Sequence, residues 1–533
     1  MSEPARPGPP RDRAIELSLA LGVAGLAAAL VAAGQRAIQE DGFYYLRIAQ
    51  NAAAGRGSTF DGLHATNGYQ PLWLALLVPV FGLRPSAEGA MAAVTLLQAA
   101  LLAVAAVLLV RLARASGLRA GPAGLAGCAW VALTLRTGLS GVEFALTAAL
   151  VAAVALHLVR NAGPAPPSAG ACGAMGLLLG LVLLSRLDMS LLTLLVAIEW
   201  TARARRPPGA AARVAALLAP PLLLGGGYAL ASAAFFGRPW PVSGVAKRIW
   251  SLHLLEADPA YQAYGWLAAK AWHLTWPARH PLAAAMPALL GCLGACGLLW
   301  AGGRREWALL TPLRSALRPL RPLALFAVLQ PLAYALVYHG HYTWAPWYFV
   351  AQPLLAALAA GAAAQALLPA GPPRRPVART AAAGAVLLAG LAAAAGWARP
   401  PQAEGPLYVA ARWARDHLEP GARVGSWNAG AIGFLSGRQV VNLDGVVNTF
   451  AYLERDQYDL CGYWDRTGIT HLVDVFEARE GSSAMKGITL PVSGFYAACA
   501  DRLELVWSQP QAGNPGWPKA FRITSPTGPP PAP

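Results

Sequence analysis

Glu40 and Asp41 are adjacent carboxylates at the exit of the first long apolar run, residues 15–34. They precede a polar, aromatic stretch ending Thr66-Asn67-Gly68-Tyr69-Gln70-Pro71-Leu72-Trp73. An acidic pair at the mouth of a membrane helix is unfavourable unless water, a cation or a substrate meets it. Either the pair marks the solvent edge of the helix, or it supplies a catalytic base on the outer face of a polytopic enzyme, and the rest of the chain favours the base. Other groups fit such chemistry: Glu143, Arg186, Asp188, Lys247, Arg248, His339, His341 and Tyr342. A carboxylate can take a proton from an acceptor hydroxyl. Arg, Lys or His can neutralise a phosphate leaving group, and aromatics can stack on a sugar or face an isoprenoid.

The elements that must position these groups are membrane helices. The 533 residues are 56% hydrophobic and only 13% charged, with a mean hydropathy of +0.43. Soluble chains carry about 25% charge. The formal charge of +16 invites a nucleic-acid partner. Most basic residues, however, sit in short clusters between apolar runs, as cytoplasmic loops do under the positive-inside rule. The expected partners therefore include membrane lipid and exclude nucleic acid.

A Pro- and Arg-rich tail, 1–14, is expected in the cytoplasm. The run 15–34 lacks a convincing small-residue cleavage site and reads as a retained helix. An outer loop, 35–70, follows, with a short amphipathic helix on the membrane surface. Residues 71–83 are too short to span comfortably and read as a juxtamembrane or re-entrant helix. The runs 88–110, 121–135, 144–159, 171–184, 189–200, 212–236, 281–301, 322–338, 349–369 and 380–397 complete about eleven crossings, of which the pair 171–184 and 189–200 falls short of the ~20 residues a bilayer requires. Polar aromatic clusters and lone acidic residues fall on the outer side, and nearly every Arg cluster falls inside. A second large outer loop, 237–280, is rich in Trp and His, which suits the headgroup level. The membrane portion is thus 15–398.

Residues 399–525 alternate short strand candidates (422–427, 439–443, 470–474, 503–507) with helical segments, which reads as a small extracytoplasmic α/β domain. The Pro-rich tail 526–533 reads as disordered. Cys128, Cys172, Cys292 and Cys296 read as small buried hydrophobes. Cys461 and Cys499 are free to pair in an oxidising compartment, and the sequence leaves that pairing open. No spacing resembles a zinc site.

Bland readings stand beside the chemical ones. Arg186 and Asp188 are equally a structural pair at a helix end, and Glu143 an ordinary helix-terminus carboxylate. His339 and His341 alone are weak metal ligands. Gly225-Gly226-Gly227 lies in an apolar run and reads as close helix packing. Asp444 equally caps a turn beside Gly445.

Taken in order, a series of pieces resembles the GT-C superfamily of integral-membrane glycosyltransferases, which includes protein mannosyltransferases, aminoarabinose transferases and arabinofuranosyltransferases. The pieces are Asp41-Gly42-Phe43-Tyr44-Tyr45, Thr66 through Trp73, Leu139-Ser140-Gly141-Val142-Glu143, Ser185-Arg186-Leu187-Asp188, Pro241-Val242-Ser243-Gly244, Trp347-Tyr348-Phe349, Gly425 through Gly430 and Val441-Asn442-Leu443-Asp444-Gly445. No single piece is decisive, and their joint order carries the likeness. The resemblance implies a GT-C-like polytopic α-helical membrane protein in the inner membrane of a bacterium. It implies a polyprenyl-phosphate-linked sugar donor and transfer to a glycan, lipid or protein acceptor on the non-cytoplasmic side.

It also implies that an acidic residue of the first outer loop is the base, which maps onto Asp41 with Glu40 as its neighbour. Donor phosphate then falls to Lys247, Arg186, Arg248, His341 and His339. Substrate contacts fall to Tyr44, Tyr45, Asn67, Tyr69, Gln70, Glu143, Asp188, Tyr342 and Tyr348, with Asn428, Asn442 and Asp444 in the terminal domain. No metal or other cofactor is expected, because no extra acidic ligand cluster is evident. A transporter or lipid flippase, and a non-enzymatic envelope assembly protein, are the rival classes. The chain shows none of the inverted repeats expected of a transporter.

Overall fold

In the computed structural model, the described residues are 10–32, 38–206, 208–257, 318–337, 345–367, 405–477, 499–511 and 516–524. His339, His341, Tyr342, the runs 281–301 and 380–397, most of the second outer loop beyond residue 257, and the tail 526–533 lie outside them. Every other apolar run named above is a helix: α1 (Pro10–Ala32), α3 (Pro71–Gly82), α4 (Ala87–Ala115), α5 (Ala120–Gly138), α6 (Phe144–Arg160), α7 (Ala169–Ser185), α8 (Ser190–Ala204), α9 (Ala210–Phe236), α11 (Arg321–Val337) and α12 (Ala351–Leu367). Among the described residues, three helices are long and apolar enough to cross a membrane by length and composition: residues 13–32, α4 and α9. The others are shorter apolar helices, and α3, with 12 residues, has the short length read from its sequence.

Start signals are local. The Ser86 and Ser168 hydroxyls each accept the backbone N–H three residues on, at 3.1 Å, and so cap α4 and α7. Small residues then let helices approach closely. A Cβ on Gly176 would meet the Leu217 carbonyl at 2.4 Å, so α7 packs backbone to backbone on α9.

The first outer loop folds into α2 (Glu40–Ala53). The expectation of an amphipathic helix resting on the membrane surface is corrected here. Phe43, Leu46, Ile48 and Ala49 are buried on one side, but so are Tyr44 and Tyr45. The second cover is the terminal domain, whose Phe434 ring lies 5.8 Å from Phe43 and 6.0 Å from Phe81 of α3. Past residue 236, the first part of the 237–280 segment forms α10 (Val242–Ala257).

The terminal domain opens with α13 (Pro406–His417) and builds a five-stranded sheet in the order β2-β1-β3-β5-β4. The strands are β1 (Arg423–Ser426), β2 (Gln439–Asn442), β3 (His471–Glu477), β4 (Leu503–Ser508) and β5 (Gly516–Ile523). β1 pairs in parallel with β2 and β3, while β5 runs antiparallel to β3 and β4. Between β1 and β2 lies α14 (Ala429–Leu435), and between β2 and β3 lie α15 (Phe450–Glu454) and α16 (Leu460–Thr467). β5 has no counterpart among the strands read from sequence, because Pro518 within it argues against an interior strand. It is tolerated where the ladder with β4 runs out at Ser508–Lys519, and the Pro518 carbonyl still accepts from the Gln509 N–H at 3.1 Å. Cys461 of α16 and Cys499 form a disulfide with Cα atoms 5.8 Å apart. Most buried apolar residues of the helices and of this domain form one continuous core, with Tyr334, Tyr348 and Phe349 in a smaller cluster of their own.

Candidate active site

A cavity of about 1060 Å³ opens between one end of the helices and the terminal domain. Asp41, Tyr44, Tyr45, Tyr69, Gln70, Glu143, Arg186, Asp188, Lys247, Arg248, Tyr348 and Asp444 line it. Residues scattered over four hundred positions of sequence therefore meet in one place.

Asp41 stands in the first turn of α2, and Gly42 explains how it gets there. A Cβ at Gly42 would strike the Ser140 carbonyl at 2.6 Å and the Gly141 Cα at 3.0 Å. Gly141 itself has φ +89°, a left-handed conformation open to glycine. The Gln39 N–H donates to Ser140 O at 2.9 Å. The Trp73 indole donates to Gly141 O at 2.9 Å, and the Gln98 amide donates to Val142 O at 2.7 Å while accepting the Gly141 N–H at 3.0 Å. The segment before Glu143 is thus pinned by α2, α3 and α4 together.

Beyond that segment lies a buried charge network. The Arg186 guanidinium donates to Glu143 and bidentately to Asp188 at 3.0 and 2.8 Å, and reaches the Trp347 carbonyl at 3.2 Å. Arg186 and Glu143 side chains are only 2% and 4% exposed. The Tyr45 hydroxyl donates to Glu143 at 2.7 Å, and the Tyr334 hydroxyl donates to Asp188. Burial weakens the protonated form of Arg186, but Asp188 and then Glu143 outweigh it, so its pKa is raised. Gln70 ties the network to the first loop by accepting the Leu187 N–H at 2.9 Å.

Lys247 and Arg186 flank one ring: their charged atoms lie 5.0 and 4.8 Å from the Tyr348 centroid, a cation–π geometry. Lys247 also donates to the Tyr348 hydroxyl. Its burial favours the neutral amine, yet Tyr348 and then Asp41 more than compensate, and the ammonium is held above its ordinary range. Asn67 fixes the helix carrying Lys247. Its side chain accepts the Val242 N–H at 2.9 Å and donates to Ser232 Oγ and the Trp240 carbonyl, each at 2.9 Å.

The structure separates some residues grouped in the sequence. Glu40 does not line the cavity. Its carboxylate accepts the N–H groups of Gly430 and Ala431, the latter at 3.1 Å, at the start of α14. Burial pushes it well above the usual carboxyl range, against those two donors, with Asp474 and Asp41 adding to the rise. Asn67, Asn428 and Asn442 are also off the cavity wall. Asn428 donates to Asp474 at 2.8 Å, and Asn442 accepts the Gly445 N–H at 2.9 Å. Tyr334, Arg238, Trp240, Trp250, Phe450 and Glu454 line the cavity without having been singled out. Tyr334 had a signal, as a tyrosine near the end of an apolar run. Arg238 and Glu454 form an exposed ion pair of 3.0 Å between the end of α9 and α15, which two distant, ordinary surface charges do not announce. Among the described residues no cluster of three or more His, Cys, Asp or Glu is arranged to hold a metal.

Residues 399–506 match a family described as a domain of unknown function, DUF8728. No curated protein matches the chain. Among solved structures the chain is similar to an oligosaccharyltransferase of Archaeoglobus fulgidus tethered to an acceptor peptide through a disulfide, with a TM-score of 0.48 and 13% identity over 87% of this chain and 69% of that one. It is similar also to the arabinofuranosyltransferase AftD of mycobacteria, with a TM-score of 0.42 and 18% identity over 95% of this chain and 40% of AftD.

Proposed function

We propose that this chain is a membrane glycosyltransferase that moves a sugar from a polyprenyl-phosphate donor to an acceptor on the non-cytoplasmic side, with Asp41 as general base. The observation that carries this reading is the convergence of Asp41 and the Lys247–Tyr348–Arg186 group on one cavity beside apolar helices. The ordered motif series supports it. The disulfide of the terminal domain supports an extracytoplasmic side, since disulfides persist in oxidising compartments.

In a single displacement the acceptor hydroxyl gives its proton to Asp41 as its oxygen attacks the anomeric carbon. The bond from that carbon to the phosphate oxygen breaks, and its electron pair leaves with the phosphate. Lys247 is the cation for the developing charge, with Arg248 beside it. Arg186, already shared between two carboxylates, orients Tyr348 and Glu143 and adds field. Glu40 docks the terminal domain and does not act as the base.

Turnover tests this. Protein in lipid is given a panel of polyprenyl-phosphate sugars, with wild type beside Asp41→Asn and Glu40→Gln. Wild type releases polyprenyl phosphate, and Asp41→Asn lowers the rate by about 10²–10⁴, the usual worth of a general base. Equal rates in wild type and Asp41→Asn refute the assignment of the base. Silence of wild type across the panel, with lipid movement instead, refutes the class.

A further inference from the structure

We infer that Asp444, brought to the cavity by the terminal domain, is the acceptor anchor, and that the acceptor is a saccharide held through adjacent hydroxyls, one facing Asp41 and its neighbour facing Asp444. This rests on the glycosyltransferase reading above and adds to it the class of acceptor.

Of the polar residues singled out in the terminal domain, Asp444 lines the cavity while Asn428 and Asn442 do not. It is held from two sides. Its Oδ2 accepts the Tyr44 hydroxyl at 3.1 Å, and its Oδ1 accepts the Val446 N–H at 2.8 Å. Gly445 between them has φ +86°, which folds the loop tightly enough for Asp444 to reach its own chain. A carboxylate has about four lone-pair sites, so these two bonds leave room for a ligand hydroxyl. Tyr44 and Asp41 are three residues apart on α2 and so share a helical face. The residue that fixes Asp444 is therefore carried by the element that carries the base.

Charge orders the cavity. On α2, Tyr45 hydrogen-bonds to Glu143 of the Arg186 network, and Arg186 and Lys247 flank the Tyr348 ring, while the adjacent Tyr44 hydrogen-bonds to Asp444. The helix that carries Asp41 thus joins a cationic end of the cavity to a second acid. A single displacement needs leaving phosphate and incoming oxygen on opposite sides of the anomeric carbon. That sends the phosphate to Lys247 and the acceptor to Asp444. Two carboxyls facing one space can hold two O–H donors, which neighbouring sugar hydroxyls supply and a lone serine hydroxyl does not. Phe450, six residues after Asp444, adds an apolar ring to the same wall, as a sugar's C–H face requires.

The test uses full-length wild type, Asp444→Asn and Tyr44→Phe in lipid, with methyl glycosides of mannose and arabinose, their monodeoxy analogues and a serine peptide as acceptors. The wild type is expected to prefer intact glycosides at least tenfold in kcat/KM over analogues lacking the neighbouring hydroxyl. Asp444→Asn is expected to raise the glycoside KM about tenfold, to move the donor KM far less, and to erase that preference. Tyr44→Phe weakens it partially. A folded Asp444→Asn protein, judged by a cooperative melting transition well above the assay temperature, that retains the preference overturns the inference, as does a wild type that uses the peptide in place of every glycoside. Should the wild type release no polyprenyl phosphate at all, the glycosyltransferase reading fails on its own. Calorimetric binding of the same glycosides to wild type and Asp444→Asn then still decides: loss of binding in the variant supports the anchor, and equal or absent binding to both overturns it.

Discussion

At the scale of single residues, Arg186 is the group whose loss the fold can least absorb. Removing one partner of a buried charge pair leaves the other unpaired and costs about 3–5 kcal/mol. Arg186→Met, which strands Glu143 and Asp188, is expected to lower the melting temperature far more than the double variant Arg186→Met with Glu143→Gln. Thermal unfolding of the two, side by side, checks this. Asp444 gives a second expectation. Burial raises its pKa to about 7, against hydrogen bonds from Val446, Asn442 and Tyr44 and with help from Asp41. Between its unfolded value of 3.8 and 7 the folded state holds a proton that the unfolded state has released. Its contribution to stability is therefore complete below the lower value and is lost as pH rises through the upper one, at about 1.4 kcal/mol per unit. Melting curves from pH 4 to 8 should show wild type losing stability relative to Asp444→Asn and then levelling. That Asp41, Glu143, Arg186 and Lys247, which meet at one cavity, were worth singling out was legible because charge is rare in so apolar a chain. Which carboxylate of the Glu40–Asp41 pair faces the cavity was not, since adjacent helical residues point about 100° apart and only the docked terminal domain shows which side is which.

At the scale of elements, α2 is the part on which the site turns, and it is held by absent side chains as much as by present ones. Gly42 lets it touch Ser140 and Gly141, while a Cβ on Gly68, at the end of the same outer loop, would meet the Val446 carbonyl at 1.9 Å. Neither neighbour is the tip of a flexible side chain, so Gly42→Ala and Gly68→Ala must displace backbone. Gly42→Ala is expected to move Asp41 and lower kcat with little change in donor KM. Gly68→Ala is expected to act on the acceptor side, because Val446 follows Asp444 by two residues. Steady-state kinetics on both variants separates the two effects, and similar losses in both would refute the division. The helices were readable from apolar runs and the first four strands from alternation. The burial of α2 on both faces was not, because Tyr44 and Tyr45 look like an interfacial face until a second domain covers them.

At the scale of the whole molecule, the terminal domain is a working wall of the cavity, and the disulfide decides how firmly that wall stands. Cys461 lies on α16 and Cys499 just before the turn into β4, 38 residues apart. Arg502 reinforces the same junction through Asp465 at 2.6 Å. From α16 the Tyr463 hydroxyl accepts the Asn448 side chain at 3.0 Å, and Asn448 in turn donates to the Asn442 carbonyl at 2.6 Å. The loop presenting Asp444 is therefore propped by the helix that the disulfide anchors. Closing a loop of this length typically contributes about 2–4 kcal/mol. The double variant Cys461→Ser with Cys499→Ser is expected to melt earlier by a corresponding margin. If the wall acts on the acceptor, loosening it should raise the acceptor KM more than the donor KM even at temperatures where the domain stays folded. A change confined to melting temperature, with both KM values intact, would make the disulfide purely a stabilising link and the terminal domain rigid without it. A rise in the donor KM alone would place the domain's influence at the Lys247 end, against the charge order of the cavity.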